Sequence, residues 1–330
     1  MTTREHPGAE PERGVWGIVL AGGEGERMNS LVQSWLGFRR PKQYCTFYGD
    51  RPMLSFAVER ARRVAGDDRV MTVLGPSHQR HLDAINFDPV GTCFEQPESC
   101  GTAAGLLLPV ALIRARDPEA IVTALPSDHF IYPETSLDRH LRAAVRAAAD
   151  RRDKIILLGA VPTHPEPEFG WVDVANVGSL KDGDTESARA FVEKPPAATA
   201  VSCYTQGWLW NTMMLTATVD VLWRIARRRF PDLAQRFEAF AEAVHGHHTD
   251  ALPSGFRSRL RDAYRDLAHY DFSADALQRE PERIEVMAMT GVTWNDWGRP
   301  HRIKESLDAA GLRAAVPDTL LEAVHAPAGN

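Results

Sequence analysis

Residues 15–21 read VWGIVLA, a nearly continuous apolar run of the kind found in strands buried on both faces of a parallel sheet. Comparable runs follow at 69–74 (RVMTVL), 120–125 (AIVTAL) and 154–159 (KIILLG). Helical patterning is predicted at 53–65, 77–85, 102–116 and 135–150. Such alternation calls for right-handed crossovers and a sheet covered by helices on both faces. Ligands bind these sheets beyond the carboxyl ends of the strands. Chemistry is therefore expected in the loops after Ala21 and Leu125.

The second half changes rhythm. FGWVDVANVG alternates as a strand does, ARAFVEKPP is a strand closed by prolines, and GWLWNTMMLTAT is a third strand rich in aromatics. Residues 218–267 are helical in pattern, and charge runs such as RIARRRF read as solvated faces between core positions. A final strand, RIEVMAMTGVTW, leads into NDWGRP. The pattern predicts a doubly wound α/β fold, with a mostly parallel sheet, helices on both faces and a β/α insertion. No repeat or low-complexity linker divides it, so one catalytic unit is expected over 14–310, with polar or small-residue tails at 1–13 and 311–330.

Composition narrows the function. With 44% hydrophobic and 25% charged residues in 330, the chain has the make-up of an ordinary enzyme. A net charge of −6 without a basic block gives no support for nucleic acid as a partner. The longest apolar run, TAAGLLLPVALI at 102–113, is too short to span a bilayer, so no membrane partner is expected. The N-terminus MTTREHPGAEPERG lacks the apolar core of a secretory signal, and a cytoplasmic location is expected. Cys45, Cys93, Cys100 and Cys203 show no C-x-x-C spacing and read as buried thiols. His245, His247 and His248 lack a neighbouring cysteine or carboxylate in ligand spacing and read as a solvated loop.

The loop LAGGEGERMNS at 20–30 follows the first strand, where glycine amides can face an anion. It fits neither familiar phosphate template. No Gly-Lys-Ser/Thr follows, and the third glycine of G-x-G-x-x-G falls on Met28. A plain tight turn remains the alternative. Arg27 and the Lys42 of RPKQY could neutralise a leaving pyrophosphate if the loop covers a triphosphate. Asp128, in ALPSDHFI just past a strand, suits Mg²⁺ held by one or two carboxylates plus phosphates, or else caps the next helix. Asp296 of WNDWG is a second carboxylate that could complete that metal site.

Taken in order, LAGGEGER with RPKQY, LPSDH, FVEKP, WNTMM and WNDWG resemble the motifs of the sugar-1-phosphate nucleotidyltransferase family, most closely its mannose-1-phosphate guanylyltransferase branch. The resemblance covers roughly residues 15–308. It implies an NTP and a sugar 1-phosphate as substrates, Mg²⁺ as cofactor, a nucleotide half at about 14–160 and a sugar half at about 161–310. Gly22, Gly23, Gly25, Arg27 and Lys42 would bind nucleotide phosphates, and Asp128 and Asp296 the metal. Glu193 would take sugar hydroxyls, Lys194 the sugar phosphate, and Gly170 and Asn211 would line the sugar pocket. Gln96 and Gly101 of QPESCGTAAG would read the base.

The chain departs from the branch pattern in places. The segment between Arg27 and Pro41 is longer, Thr212 and Met213 replace Ser-Gly, and Gly101 replaces Asn. Gly101 is similar to uridylyl- and thymidylyl-transferring relatives, whereas the motif set favours GTP and mannose 1-phosphate. A non-catalytic nucleotide-sugar-binding subunit is a rival from another class, and a Rossmann dehydrogenase a weaker one. Oligomers are expected to form, where they do, without a β-helical tail.

Overall fold

The computed structural model describes residues 14–175, 177, 183–244 and 255–322. The histidines at 245, 247 and 248 lie outside the described residues. The first apolar run forms β1 (Val15–Ala21), buried except at Leu20. There follow α1 (Asn29–Leu36), α2 (Met53–Ala65), β2 (Val70–Leu74), α3 (Gln79–Ile85), β3 (Thr92–Glu95), α4 (Gly101–Arg116), β4 (Ile121–Pro126), β5 (Phe130–Tyr132), α5 (Glu134–Asp150) and β6 (Ile155–Ala160). The second half supplies β7 (Trp171–Val174), β8 (Glu186–Val192), α6 (Ala197–Thr205), β9 (Leu209–Thr218), α7 (Val219–Arg229), α8 (Pro231–Val244), α9 (Phe256–Tyr264) and α10 (Phe272–Asp275). The chain continues through β10 (Ile284–Met289), β11 (Thr293–Asn295), α11 (Pro300–Ala310) and α12 (Asp318–Glu322).

Nine strands form one sheet in the order β3-β2-β1-β4-β9-β6-β10-β8-β7. All run one way except β8 and β9, which are antiparallel to their neighbours. The sheet is thus mostly parallel, as the alternation of strand and helix demanded. β9 lies between β4 and β6, and a buried hydroxyl pair, Thr123 with Thr216 at 3.0 Å, joins it to β4. One hydrophobic cluster covers one face through α4, α7, α8 and α9, with Leu106, Leu222, Phe237 and Leu260 among its members. A second covers the other through α2 and α5, with Leu54, Leu137 and Leu141. Helices therefore flank both faces, and strand ends carry the loops of interest.

Several elements escape the pattern. β3 is short and only Phe94 in it is buried, and α1 buries only Leu31 and Val32. The two-stranded ribbon β5–β11 pairs Phe130 with Asn295 across a long sequence separation. The expected C-terminal tail also differs from what is found. Val316 and Leu321 are 2% and 1% exposed, and they join Leu31, Phe47, Phe130, Trp297 and Ile303 in a third apolar cluster. The Ala315 amide donates to the Phe47 carbonyl at 2.7 Å. Apolar residues are too sparse there to show a period, yet two of them suffice to cap a patch left open by α1 and α11. Leu321→Ala should therefore lower the unfolding free energy by about 2–5 kcal/mol, seen as a fall in the denaturation midpoint. An unmoved midpoint would mean that the segment contributes nothing to the fold.

Candidate active site

The glycine loop leaves β1 and is fastened by the residue after Lys42. Gln43, which is buried, donates through Nε2 to the carbonyls of Ala21 (3.1 Å) and Gly23 (2.7 Å). Gly25 has φ of 63° and starts a short helical turn at Glu26–Met28. A Cβ there would sit 3.0 Å from the Lys42 amide nitrogen, so the loop and the RPKQY segment are in contact. His78 bridges Tyr44 (3.2 Å) and Glu24 (3.1 Å), which holds the outer side of the loop.

Lys42 is the centre of a charged cluster. Its ammonium, on a side chain only 4% exposed, pairs with Asp128 Oδ2 at 3.0 Å and donates to the Asp296 backbone carbonyl. Burial alone would push the Asp128 carboxyl up, but the groups opposite it, Lys42 foremost, hold it below its usual range. Asp296 is likewise held low: burial is outweighed by Lys42, by the Gly298 amide and by Arg302. Arg27 lies 3.1 Å from Asp296 Oδ2 and 3.0 Å from Glu168. Arg302, also 4% exposed, contacts Glu166 (2.5 Å), Glu168 (3.0 Å) and Asp296 (3.0 Å). His129 accepts from Trp294 Nε1 at Nδ1 (3.3 Å), and burial lowers its pKa to about 4. Both features favour the neutral imidazole with its proton on Nε2, facing Asp128 Oδ1 at 3.9 Å.

Asp128 and Asp296 are thus ionised, share Lys42 and supply hard oxygen donors. Among the described residues, no group of three or more His, Cys, Asp or Glu could hold a metal ion. A two-carboxylate set fits Mg²⁺, which keeps its remaining positions for water and phosphate oxygens.

A cavity of about 440 Å³ opens beside Asp128 and His129. Gly22, Gly23, Gln96, Gly101, Thr102, Met213 and Asp271 are among the residues that line it. Gly101 has φ of 86°, and a Cβ there would collide with the Tyr270 carbonyl. The packing of Tyr270 is reason enough for glycine at this position. Beside Met213, whose amide donates to Asn211, a Cβ on Gly170 would lie 2.5 Å from Glu193 Oε2 and 3.0 Å from Asn211 Cβ, so these three expected sugar-side residues converge. Lys194 reaches Glu193 Oε1 at 3.3 Å from a side chain 60% exposed. Burial raises the Glu193 carboxyl, with Lys194 opposing and nearby Asp271 adding to the rise. Glu193 Oε2 is buried without a hydrogen-bond partner, a vacancy that a hydroxyl donor would fill. Asn211 is partly committed, donating to Ser273 (3.1 Å) and accepting from the Met213 amide (2.9 Å).

The structure therefore gathers the expected residues in two groups: Lys42, Asp128, Asp296 and Arg27 in one, and Gly170, Glu193, Lys194 and Asn211 in the other. Sequence reading missed Glu166, Glu168, Arg299 and Arg302. Charged residues flanking FGWV and WNDWG are the only trace of them, and spacing alone cannot pair residues separated by well over a hundred positions.

A family model described as nucleotidyl transferase matches residues 16–309. The chain is 27% identical over 286 residues to the xanthan biosynthesis protein XanB of Xanthomonas campestris pv. campestris, covering 85% of this chain and 57% of that protein. It is 23% identical over 295 residues to a mannose-1-phosphate guanylyltransferase of Escherichia coli, covering 85% of this chain and 59% of that protein. It thus spans less than two thirds of these relatives. Among solved structures it is similar to a mannose-1-phosphate geranyltransferase from Thermus thermophilus, with TM-score 0.72, 21% identity and coverage of 89% of this chain and 79% of that one. A UTP-bound UGPase from Acinetobacter baumannii gives TM-score 0.52 and 16% identity, covering 90% and 93%. These likenesses show the nucleotide-diphospho-sugar transferase fold.

The cluster has a pH signature. The stability lent by the low carboxyls of Glu168, which bonds Arg299, and of Asp296 is present above their unfolded pKa values. It is lost as the pH falls through the lower folded values. Arg302→Met leaves carboxylates facing one another and should cost about 3–5 kcal/mol at neutral pH. That deficit should shrink as the pH falls, because carboxylates brought together without the guanidinium are relieved by taking up protons. Chemical denaturation of parent and variant across pH 3–8 checks it, and a pH-independent deficit would show that charge is not its source.

Proposed function

Since the chain belongs to the nucleotidyl transferase family, we propose that it transfers a nucleoside monophosphate from an NTP to a sugar 1-phosphate, releasing pyrophosphate, with GTP and mannose 1-phosphate as the favoured pair. One observation carries the reading: a single cavity joins the glycine loop to Asp128, whose partner Lys42 also binds Asp296.

In this reading the NTP enters beneath Gly22, Gly23 and Gly25, with its base against Gln96 and Gly101. Asp128 and Asp296 are the residues that would hold Mg²⁺, which when bound offsets the repulsion between the two substrates' phosphates. Lys42 and Arg27 add positive charge on the nucleotide side, and Lys194 takes the sugar phosphate. Glu193 and Asn211 orient the sugar beside Gly170. The attacking phosphate oxygen is already ionised, so no protein nucleophile or general base is required. Alignment and charge neutralisation are what the chain contributes.

The choice of guanine rests on the motif set and on relatives named mannose-1-phosphate guanylyltransferase. Uridylyl or thymidylyl transfer is the second reading, suggested by Gly101, although the close approach of Tyr270 already accounts for that glycine. A non-catalytic binding subunit is disfavoured by the presence of Arg27, Lys42, Asp128, Lys194 and Asp296. Pyrophosphate release across a matrix of NTPs and sugar 1-phosphates tests all three, and no release with any pair would leave only the binding subunit.

Asp128→Asn keeps shape but removes the charge opposite the enclosed Lys42, and should lower turnover by ~10²-fold or more while also lowering the melting temperature, because the ammonium loses its counter-charge. Near-normal turnover at saturating Mg²⁺ would remove Asp128 from the site. Lys194→Ala should raise KM for the sugar 1-phosphate far more than for the NTP, through loss of a charge-assisted contact of about 1.5–3 kcal/mol. Equal weakening of both substrates would assign Lys194 a structural part only.

A further inference from the structure

Gln96 is not free to turn. Its backbone amide and its side-chain Nε2 both donate to the Leu74 carbonyl, at 3.0 and 3.3 Å. Its Oε1 accepts from the Tyr264 hydroxyl at 3.0 Å. Leu74 ends β2, and its carbonyl can only accept, so a flipped amide would set two acceptors against each other. Tyr264 closes α9 and is fully buried, its ring 5.3 Å from that of Phe237. Burial pushes its hydroxyl well above the ordinary value, which keeps the proton available for Oε1. With Oε1 turned to Tyr264, the capacity left over is the second hydrogen on Nε2. That nitrogen is the amide atom nearest the cavity wall: a Cβ at Gly22, a cavity residue, would come within 2.8 Å of it, against 3.6 Å from a Cβ at Gly105 to Oε1.

We infer that Tyr264 is a positioning residue for base selection, locking Gln96 as a hydrogen-bond donor towards the nucleotide cavity. The inference rests on the nucleotide-binding reading above and deepens it. A fixed donor matches bases that present a carbonyl at the edge facing it, as guanine, uracil and thymine do. Adenine and cytosine present an exocyclic amine at the equivalent edge, and a donor would meet a donor. Such a mismatch leaves buried polar groups unpaired, which is how a hydrogen-bonding pocket discriminates most strongly. The enforcing hydroxyl comes from α9, a helix outside every motif that marks the family in this sequence. Without it, Oε1 loses its partner, and the long 3.3 Å bond to the Leu74 carbonyl, which the Gln96 backbone amide already shares, is what remains to oppose rotation.

Tyr264→Phe removes one hydroxyl and keeps the ring. Affinities and KM values for GTP, UTP, dTTP, ATP and CTP would be measured for the parent, Tyr264→Phe, Gln96→Ala and the double variant, with melting temperatures alongside. The ratio of KM for ATP or CTP to KM for the preferred NTP should fall by about tenfold in Tyr264→Phe, more through KM than kcat. In the Gln96→Ala background the tyrosine change should move the ratio no further. A drop in melting temperature with all five KM values raised alike would make Tyr264 merely structural and overturn the inference. A parent that binds ATP or CTP as well as the carbonyl-bearing bases would overturn the donor assignment. A parent that binds no NTP at all would instead sink the nucleotide-binding reading beneath it.

Discussion

A lysine ammonium enclosed by protein is the constraint around which this molecule is arranged. Lys42 is 4% exposed, and an ion taken so far from water must be matched by oppositely charged or polar atoms at contact distance. Here they come from two distant places, the carboxylate of Asp128 after β4 and the backbone carbonyl of Asp296 after β11. The ribbon β5–β11 pairs Phe130 with Asn295, each next to or near those acceptors, and so fixes their separation. Gln43, the next residue, fastens the glycine loop to the same point. Two adjacent side chains thereby set the loop and both aspartates in one frame.

The sheet extends that frame to the part of the cavity lined by Met213. Because β9 runs antiparallel between β4 and β6, its Asn211 end lies alongside Gly159 and Ala160 at the carboxyl end of β6. The register slips between Leu157 and Gly159, and Met213 takes φ of 56° with its amide bonded to Asn211 Oδ1. An irregularity of this kind re-aims side chains at a site's edge. Met213 consequently lines the cavity that also holds Asp128 and Gly22. A residue from the second half of the chain thus closes a space opened by the first half, and any division near residue 160 crosses a continuous sheet.

How much of this the sequence disclosed follows from the range of the interaction involved. Strands β1, β2, β4 and β6 announce themselves because burial on both faces leaves an unbroken apolar run. Asp128 and Asp296 could be found because each follows a strand within a recognisable motif. Glu166, Glu168 and Arg302 could not, since their pairings span well over a hundred residues and charges on loops have no period. Tyr264 was equally silent: within α9 it reads as one more core position, and only its hydroxyl on Gln96 distinguishes it. The packing of Val316 and Leu321 was hidden by sparse apolar residues in a segment of tail-like composition.

The cations of the cluster divide by exposure, and the division bears on the proposed reaction. Lys42 and Arg302 are each 4% exposed and hold two or more partners, so moving Lys42 would leave Asp128 without its counter-charge and moving Arg302 would strand Glu166, Glu168 and Asp296. Arg27 is 48% exposed and Arg299 50%, and their contacts with Asp296 and Glu168 face water. Exposed pairs of this sort are worth at most about 1 kcal/mol, less than a charge-assisted bond to a phosphate would return. The enclosed pair can then keep Asp128 and Asp296 ionised and in place, while Arg27 can exchange a carboxylate for an arriving phosphate at little cost. Exposure, more than charge, separates the cations that build the site from those that can answer a substrate.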